Sequence, residues 1–155
     1  MSTVAKAKTK AGARDAIRLG EFLPYCFALL AHRLGLGAAD LHARQHRVTV
    51  QEWKVLSIVA DGGPVTPHEI RRRGTQDKST ISWAVKRLKR RGLVATAPRP
   101  RDGRTFEVAM TDEGWRFYGA LAPEARRRAE RAFAVLSAAE RRALQRLVAK
   151  VLSGA

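Results

Sequence analysis

The segment from Asp77 to Arg91 carries the side chains best suited to chemistry, and that chemistry is recognition. Placed at 100° intervals on a helix, Ile81, Ala84, Val85 and Leu88 fall on one side, facing a core. Ser79, Trp83, Lys86 and Arg90 fall opposite, with Ser82 and Arg87 at their flanks. The outer stripe therefore offers hydroxyls, an indole and three cations, a surface suited to base edges and phosphates in a major groove. The start of such a helix, at Asp77 or Lys78, adds free backbone donors and a positive dipole end, a natural phosphate site.

Charge is concentrated around this segment. The chain has 155 residues, with 30 Lys and Arg against 14 Asp and Glu, a formal charge of +16. Between Thr66 and Arg104 twelve cations face only Glu69, Asp77 and Asp102, so more than half of the excess lies on a quarter of the length. Generic basicity would spread more evenly; an anionic partner is expected here, with double-stranded nucleic acid the leading one.

Other chemistries find little support. One cysteine makes no internal bridge, which points to a reducing compartment and a cytoplasmic location. Cys26 has the apolar helical neighbours Phe22, Leu29 and Leu30, and burial dulls a thiol, so a packed cysteine is favoured over an oxidation sensor. His42 and His46 stand one helical turn apart without a third evident ligand, and neither a metal nor a cofactor is expected. No nucleophile, base and orienting acid recur at enzyme spacings, and no Gly-rich phosphate loop appears, so catalysis is not expected. The longest apolar run, Phe22 to Ala31, falls short of the roughly 18 residues a membrane span needs. Glu21 and Pro24 and the helical pattern beyond also argue against a secretory signal.

The elements that must position the outer stripe can be read from local signals. Residues 1–18 hold small residues and cations with little to pack, and read as a flexible basic arm. Residues 20–44 form a long helix whose first half is apolar around most of its circumference, which a single short chain struggles to cover. Three helix starts share the reciprocal cap of Ser or Thr followed three residues on by Glu: Thr49/Glu52, Thr66/Glu69 and Ser137/Glu140. The first opens a helix burying Trp53, Leu56 and Val59 or Ala60, which ends at Asp61-Gly62-Gly63-Pro64. A short helix from Pro67 to Arg73, a turn permitted by Gly74 and the helix ended by Gly92 make a helix-turn-helix.

Beyond Gly92 the period changes to two. Leu93, Val94 and Thr96 form one strand; Phe106, Val108 and Met110 form another. The loop from Pro98 to Arg104 contains the Asp102-Gly103 turn signal and three arginines, and looks like a basic wing. Thr111 caps a helix whose seam of Trp115, Tyr118, Ala122, Ala125, Ala129, Ala132 and Leu136 wants another helix, although Pro123 should kink or interrupt it. The last helix repeats the theme with Leu144, Leu147, Val148 and Val151. The fold class is mainly α with a small β-hairpin wing.

These residues carry a family resemblance. Asp77-Lys78-Ser79-Thr80-Ile81-Ser82, Leu88, Gly92-Leu93-Val94, the pair Asp102 and Arg104, and Met110-Thr111-Asp112-Glu113-Gly114 resemble the MarR family of winged helix-turn-helix transcriptional regulators. Leu23-Pro24-Tyr25 and Glu52-Trp53-Lys54-Val55-Leu56 extend the likeness from about Glu21 to the C-terminus. The resemblance implies a single domain over residues 19–155, with the winged helix-turn-helix at about 49–111 and dimerisation helices at about 20–46 and 112–153.

It also implies a homodimeric repressor reading a near-palindromic operator and released by a small aromatic effector. Its DNA-binding residues would be Thr66, Lys78, Ser79, Thr80, Ser82, Trp83, Lys86, Arg87, Arg99, Arg101 and Arg104, with Asp102 orienting Arg104 toward the minor groove. Phe22, Leu23, Tyr118, Phe133, Leu144, Leu147 and Val151 would build the dimer, and Tyr25, His32, Trp53 and Trp115 would line an effector site. The chain departs from the family pattern at Arg71 and Gln76, usually small and apolar, at Trp83, usually basic, and at Gly103, often arginine. The competing reading is an architectural protein that coats DNA with little sequence preference through counterion release.

Overall fold

The computed structural model describes residues 17–45, 47–99 and 102–154, with side chains described outside 36–45 and 102–104. The order is α1 (Leu23–Gln45), α2 (Val50–Gly62), α3 (Pro67–Arg73), α4 (Lys78–Arg90), β1 (Val94–Arg99), β2 (Asp102–Met110), α5 (Asp112–Ala132) and α6 (Ala138–Gly154). Residues 1–16 of the arm expected over 1–18, His46 and Arg101 lie outside the described residues, as do the side chains of His42, Asp102 and Arg104. Two compact units are present, residues 1–37 and 38–155.

In the first unit a turn at Arg18–Glu21 leads into α1, the Glu21 and Phe22 amides both donating to the Arg18 carbonyl. Phe22, Leu23, Tyr25, Phe27 and Leu30, from the apolar circumference read from the sequence, are all exposed. Cys26 is only half-buried, and its Sγ donates to the Gly20 carbonyl at 3.3 Å, short of the full packing its neighbours promised.

The second unit is built around caps that satisfy orphan amides. All three predicted boxes form: the Thr49 and Thr66 amides donate to Glu52 Oε2 at 2.8 Å and Glu69 Oε2 at 2.7 Å, and the Ser137 amide to Glu140 Oε2 at 2.8 Å. Each Glu amide returns a bond to the capping hydroxyl. The core joins Val55, Leu56 and Val59 of α2 to Ile70, to Ile81, Ala84, Val85 and Leu88 of α4, and to Leu93, Val94 and Val108 of the hairpin. The buried stripe of α2 thus lies one step round from the predicted one, with Trp53 and Ala60 half-exposed. In that core α4 packs against α2, its Ile81, Ala84, Val85 and Leu88 clustering with Val55 and Leu56.

The strands pair antiparallel from Val94↔Met110 to Pro98↔Phe106, then shift so that Arg99 meets Asp102. Asp102-Gly103 therefore opens β2 and is not the turn itself, a correction to the sequence reading. The shift falls beside Pro98, which has no N–H to give the ladder. Val65, just before α3, bridges to Val108 with both backbone bonds at 2.8–3.0 Å, anchoring the hairpin to the helix-turn-helix.

Gly92 takes the left-handed conformation (φ 69°) that ends α4. Thr111 then locks the hairpin exit, donating from Oγ1 to the Gly92 carbonyl at 2.6 Å and accepting from the Gly114 amide at 2.9 Å. Gly114 is packed so closely on the Leu93 carbonyl that a Cβ would overlap it. The helix α5 continues through Pro123 without interruption, although proline has no N–H to donate to the turn before it. It ends at Ala132 with Phe133 as cap, so Leu136 falls outside the expected seam. No residue of α6 is buried, and Leu147, Val151 and Leu152 are exposed by 61–74%.

Candidate nucleic-acid interface

The reading surface is built by α3, its turn and α4. Pro67 and the Thr66 box start α3, and the Gly74 amide closes it on the Ile70 carbonyl. Gln76 is buried in the turn, its Nε2 donating to the Gln51 carbonyl at 3.1 Å. An amide here thus ties the turn to α2 by a hydrogen bond where the family pattern has apolar packing. Lys54 adds a bond from Nζ to Thr75 Oγ1 at 3.1 Å.

Asp77 caps α4 and organises its first turn. Its carboxylate accepts from Ser79 Oγ at 2.6 Å, from the Thr80 amide at 2.8 Å and from Thr80 Oγ1 at 2.8 Å. Those bonds, Ser79's first, hold the Asp77 carboxyl far below the ordinary carboxylate range. With their O–H groups donating to Asp77, the hydroxyls of Ser79 and Thr80 have only lone pairs left to offer, which suits them to accept from the amino groups of cytosine or adenine.

The outer stripe is as the helical periodicity requires: Ile81, Ala84, Val85 and Leu88 are buried, and Lys78, Ser79, Ser82, Trp83, Lys86 and Arg90 are exposed. Three expected contacts have other engagements. Thr66 is buried with its hydroxyl spent on Glu69 at 2.8 Å, so it offers no side-chain donor to a ligand. Arg99 lies 3.6 Å from Glu107 across the hairpin. Arg87 turns inward, its Nε donating to Glu52 Oε1 at 3.0 Å, while its guanidinium lies 4.9 Å from the centroid of the Trp83 indole.

Glu52 is wholly buried, and sequence reasoning missed its second role because the capping box already accounted for it. Burial raises its pKa, but donation from the Thr49 amide, Arg87 and the Thr49 hydroxyl outweighs it, and the group stays ionised below its ordinary range. Lys89 and Arg91 also face protein: Lys89 Nζ donates to Thr96 Oγ1 at 2.7 Å, and Arg91 donates to the Arg47 carbonyl at 2.8 Å and lies over Phe117. A cleft of about 230 Å³, lined by Pro67, His68, Arg71, Lys78 and Ile81, opens beside the start of α4.

Of the expected effector residues, Trp53 stacks on Tyr118 with centroids 5.1 Å apart, and Trp115 meets Tyr118 edge-on at 6.3 Å. Tyr25 and His32 are exposed on α1, in the first unit.

The MarR family's sequence profile matches residues 47–105, which span α2 to the first part of the hairpin. The HTH-type transcriptional repressor NicR of Pseudomonas putida is 33% identical over 106 residues, 68% of this chain and 67% of that repressor. The chain belongs to the MarR family. The repressor IacR of Pseudomonas putida is 34% identical over 99 residues; the match takes in 64% of this MarR-family chain and 59% of IacR, less than two thirds of its length. Among solved structures, the PcaV transcriptional regulator of Streptomyces coelicolor in complex with its natural ligand is 28% identical. It superposes with a TM-score of 0.70 over 89% of this chain and 96% of its own. The winged helix-turn-helix is thus shared by fold as well as by sequence, in a family of transcriptional regulators, not enzymes. No helix among the described residues is long and apolar enough to cross a membrane.

Proposed function

We propose that this MarR-family chain is a homodimeric repressor that reads a near-palindromic operator with α4 and the wing, and that a small aromatic effector releases it. The observation that carries the reading is the exposed stripe Lys78, Ser79, Ser82, Trp83 and Lys86, set on a helix whose opposite face is locked into the core. Ser79, Thr80 and Ser82 read base edges, Lys78 and Lys86 hold phosphates, and Arg99, Arg101 and Arg104 act from the wing with Asp102 as orienting group.

A dimer is supported by the apolar surface left bare on α1 and α6, including Phe22, Leu23, Leu147 and Val151. Repression is supported by the likeness to NicR and IacR, both transcriptional repressors. The effector rests on the Trp53–Tyr118–Trp115 cluster, a stacking surface for a ring, and on the ligand complex formed by PcaV. A ligand that favours a spacing of the two reading heads unsuited to the operator must weaken DNA binding by the same factor that DNA weakens its own.

Selection of bound sequences from random duplexes at physiological salt tests the reading. A palindromic winner bound at least ~10³-fold more tightly than scrambled DNA, with half-sites about one helical turn apart, supports it. No enriched sequence, with affinity collapsing as salt rises, replaces it with an architectural coat. Lys86→Ala is expected to weaken operator binding and reduce the salt slope by about one per subunit, without lowering the melting temperature.

A further inference from the structure

We propose that Glu52 and Arg87 act as positioning residues for Trp83, and that Trp83 is the specificity-determining side chain of α4, reading the 5-methyl group of thymine. The inference rests on the reading of α4 as a DNA-recognition helix. Trp83 stands exposed in the middle of the outer stripe, where its indole offers one N–H donor, no acceptor and a broad apolar edge. Such a group cannot clamp guanine in the manner of arginine; the apolar feature that a major groove presents is the thymine methyl.

An indole free to rotate in solvent discriminates poorly, because ordering it costs entropy at the moment of binding. Here it is ordered in advance. One turn along the helix, the Arg87 guanidinium lies 4.9 Å from the ring centroid. That guanidinium is fixed by Glu52 Oε1 at 3.0 Å, and Glu52 is fixed by the Thr49 amide at 2.8 Å and hydroxyl at 2.9 Å. Withdrawing Arg87 to meet a phosphate would leave a wholly buried carboxylate without its counter-charge. Arg87 is therefore held as a platform for the indole, which leaves the second face and the edge of Trp83 for the base.

The test uses the duplex recovered by selection, with each thymine replaced in turn by deoxyuridine, which removes the methyl alone. Wild-type protein is expected to lose about fourfold in affinity at one thymine in each half-site, the worth of one buried methyl. Trp83→Ala should abolish that difference. Glu52→Gln keeps the capping box, since Gln also serves there, and should preserve the melting transition. It should nonetheless bring the thymine-to-uracil ratio toward one and steepen the salt slope as Arg87 reaches a phosphate. Arg87→Lys, which keeps a cation beside Glu52 but loses the planar stack, should lower the same ratio, and decides the matter if Glu52→Gln does not fold. A wild type indifferent to every substitution, or a ratio unchanged in both positioning variants, overturns the proposal while leaving specific DNA binding intact. Failure of selection to enrich any sequence is a separate result, which overturns the DNA-reading function itself.

Discussion

Single side chains in this protein serve two masters, and Glu52 and Asp77 show how. Each caps a helix, and each also disposes a neighbour on α4: Glu52 holds Arg87, and Asp77 accepts hydrogen bonds from the hydroxyls of Ser79 and Thr80. The carboxyls of Glu52, Glu69, Asp77 and Glu140 are all held below their ordinary values of 4.5 for Glu and 3.8 for Asp. Above those values folded and unfolded chains are both ionised and the caps contribute in full. As pH falls through and below them the unfolded chain takes up protons first, so stability drops. Thermal melts are expected to be flat near neutrality and to fall steadily in acid. Asp77→Asn, which still caps, should flatten part of that acid slope with little change at pH 7; an identical slope would mean that the Asp77 bonds do not form in solution.

The elements are positioned by short-range devices whose removal has local and graded effects. Thr66→Ala removes the hydroxyl shared with Glu69 and should cost about 1 kcal/mol of unfolding free energy, read by urea titration. Since α3 has only seven residues, the same variant should raise amide exchange in α3 before it does so in α2. Gly114→Ala is predicted to be worse, at more than about 2 kcal/mol, because the new Cβ meets backbone at Leu93 and the Thr111 lock leaves the chain nowhere to move. A melting temperature within a degree of wild type would refute that packing. These two sites also show how differently elements are legible. The Thr66 box is visible in four consecutive residues, whereas Gly114 stands in a family motif whose physical reason, the close approach of the Leu93 carbonyl, shows only once the hairpin folds back on it.

At the scale of the whole molecule, charge and bare apolar surface set the behaviour. A chain of +16 repels itself, and the surplus around α3, α4 and the wing is relieved by a polyanion. The apolar side chains exposed on α1 and α6 would be covered in the proposed dimer, which would make operator binding bivalent. Leu147→Glu combined with Val151→Glu is expected to give monomers in sedimentation equilibrium and to lower operator affinity by at least ~10²-fold, with each half-site still bound weakly. Dimers of undiminished affinity would place the interface elsewhere.

What the sequence by itself determined follows the range of the forces involved. The three capping boxes, the buried face of α4, the breakers after α2 and the two strands of the hairpin depend on neighbours within a few residues, and all were legible, although Phe106 of the expected apolar alternation is exposed. So was the family, through motifs spread along the winged motif. Tertiary structure alone decided the partners of the ambiguous polar groups. Glu52 and Arg87 are 35 residues apart, Gln51 and Gln76 25, and Arg47 and Arg91 44. It also decided that Asp102-Gly103 begins a strand and that the stripe of α2 faces Val55 in preference to Trp53. A buried charge or amide must find a partner once water is gone, and which partner is near depends on how helices pack; no periodicity along the chain records that geometry.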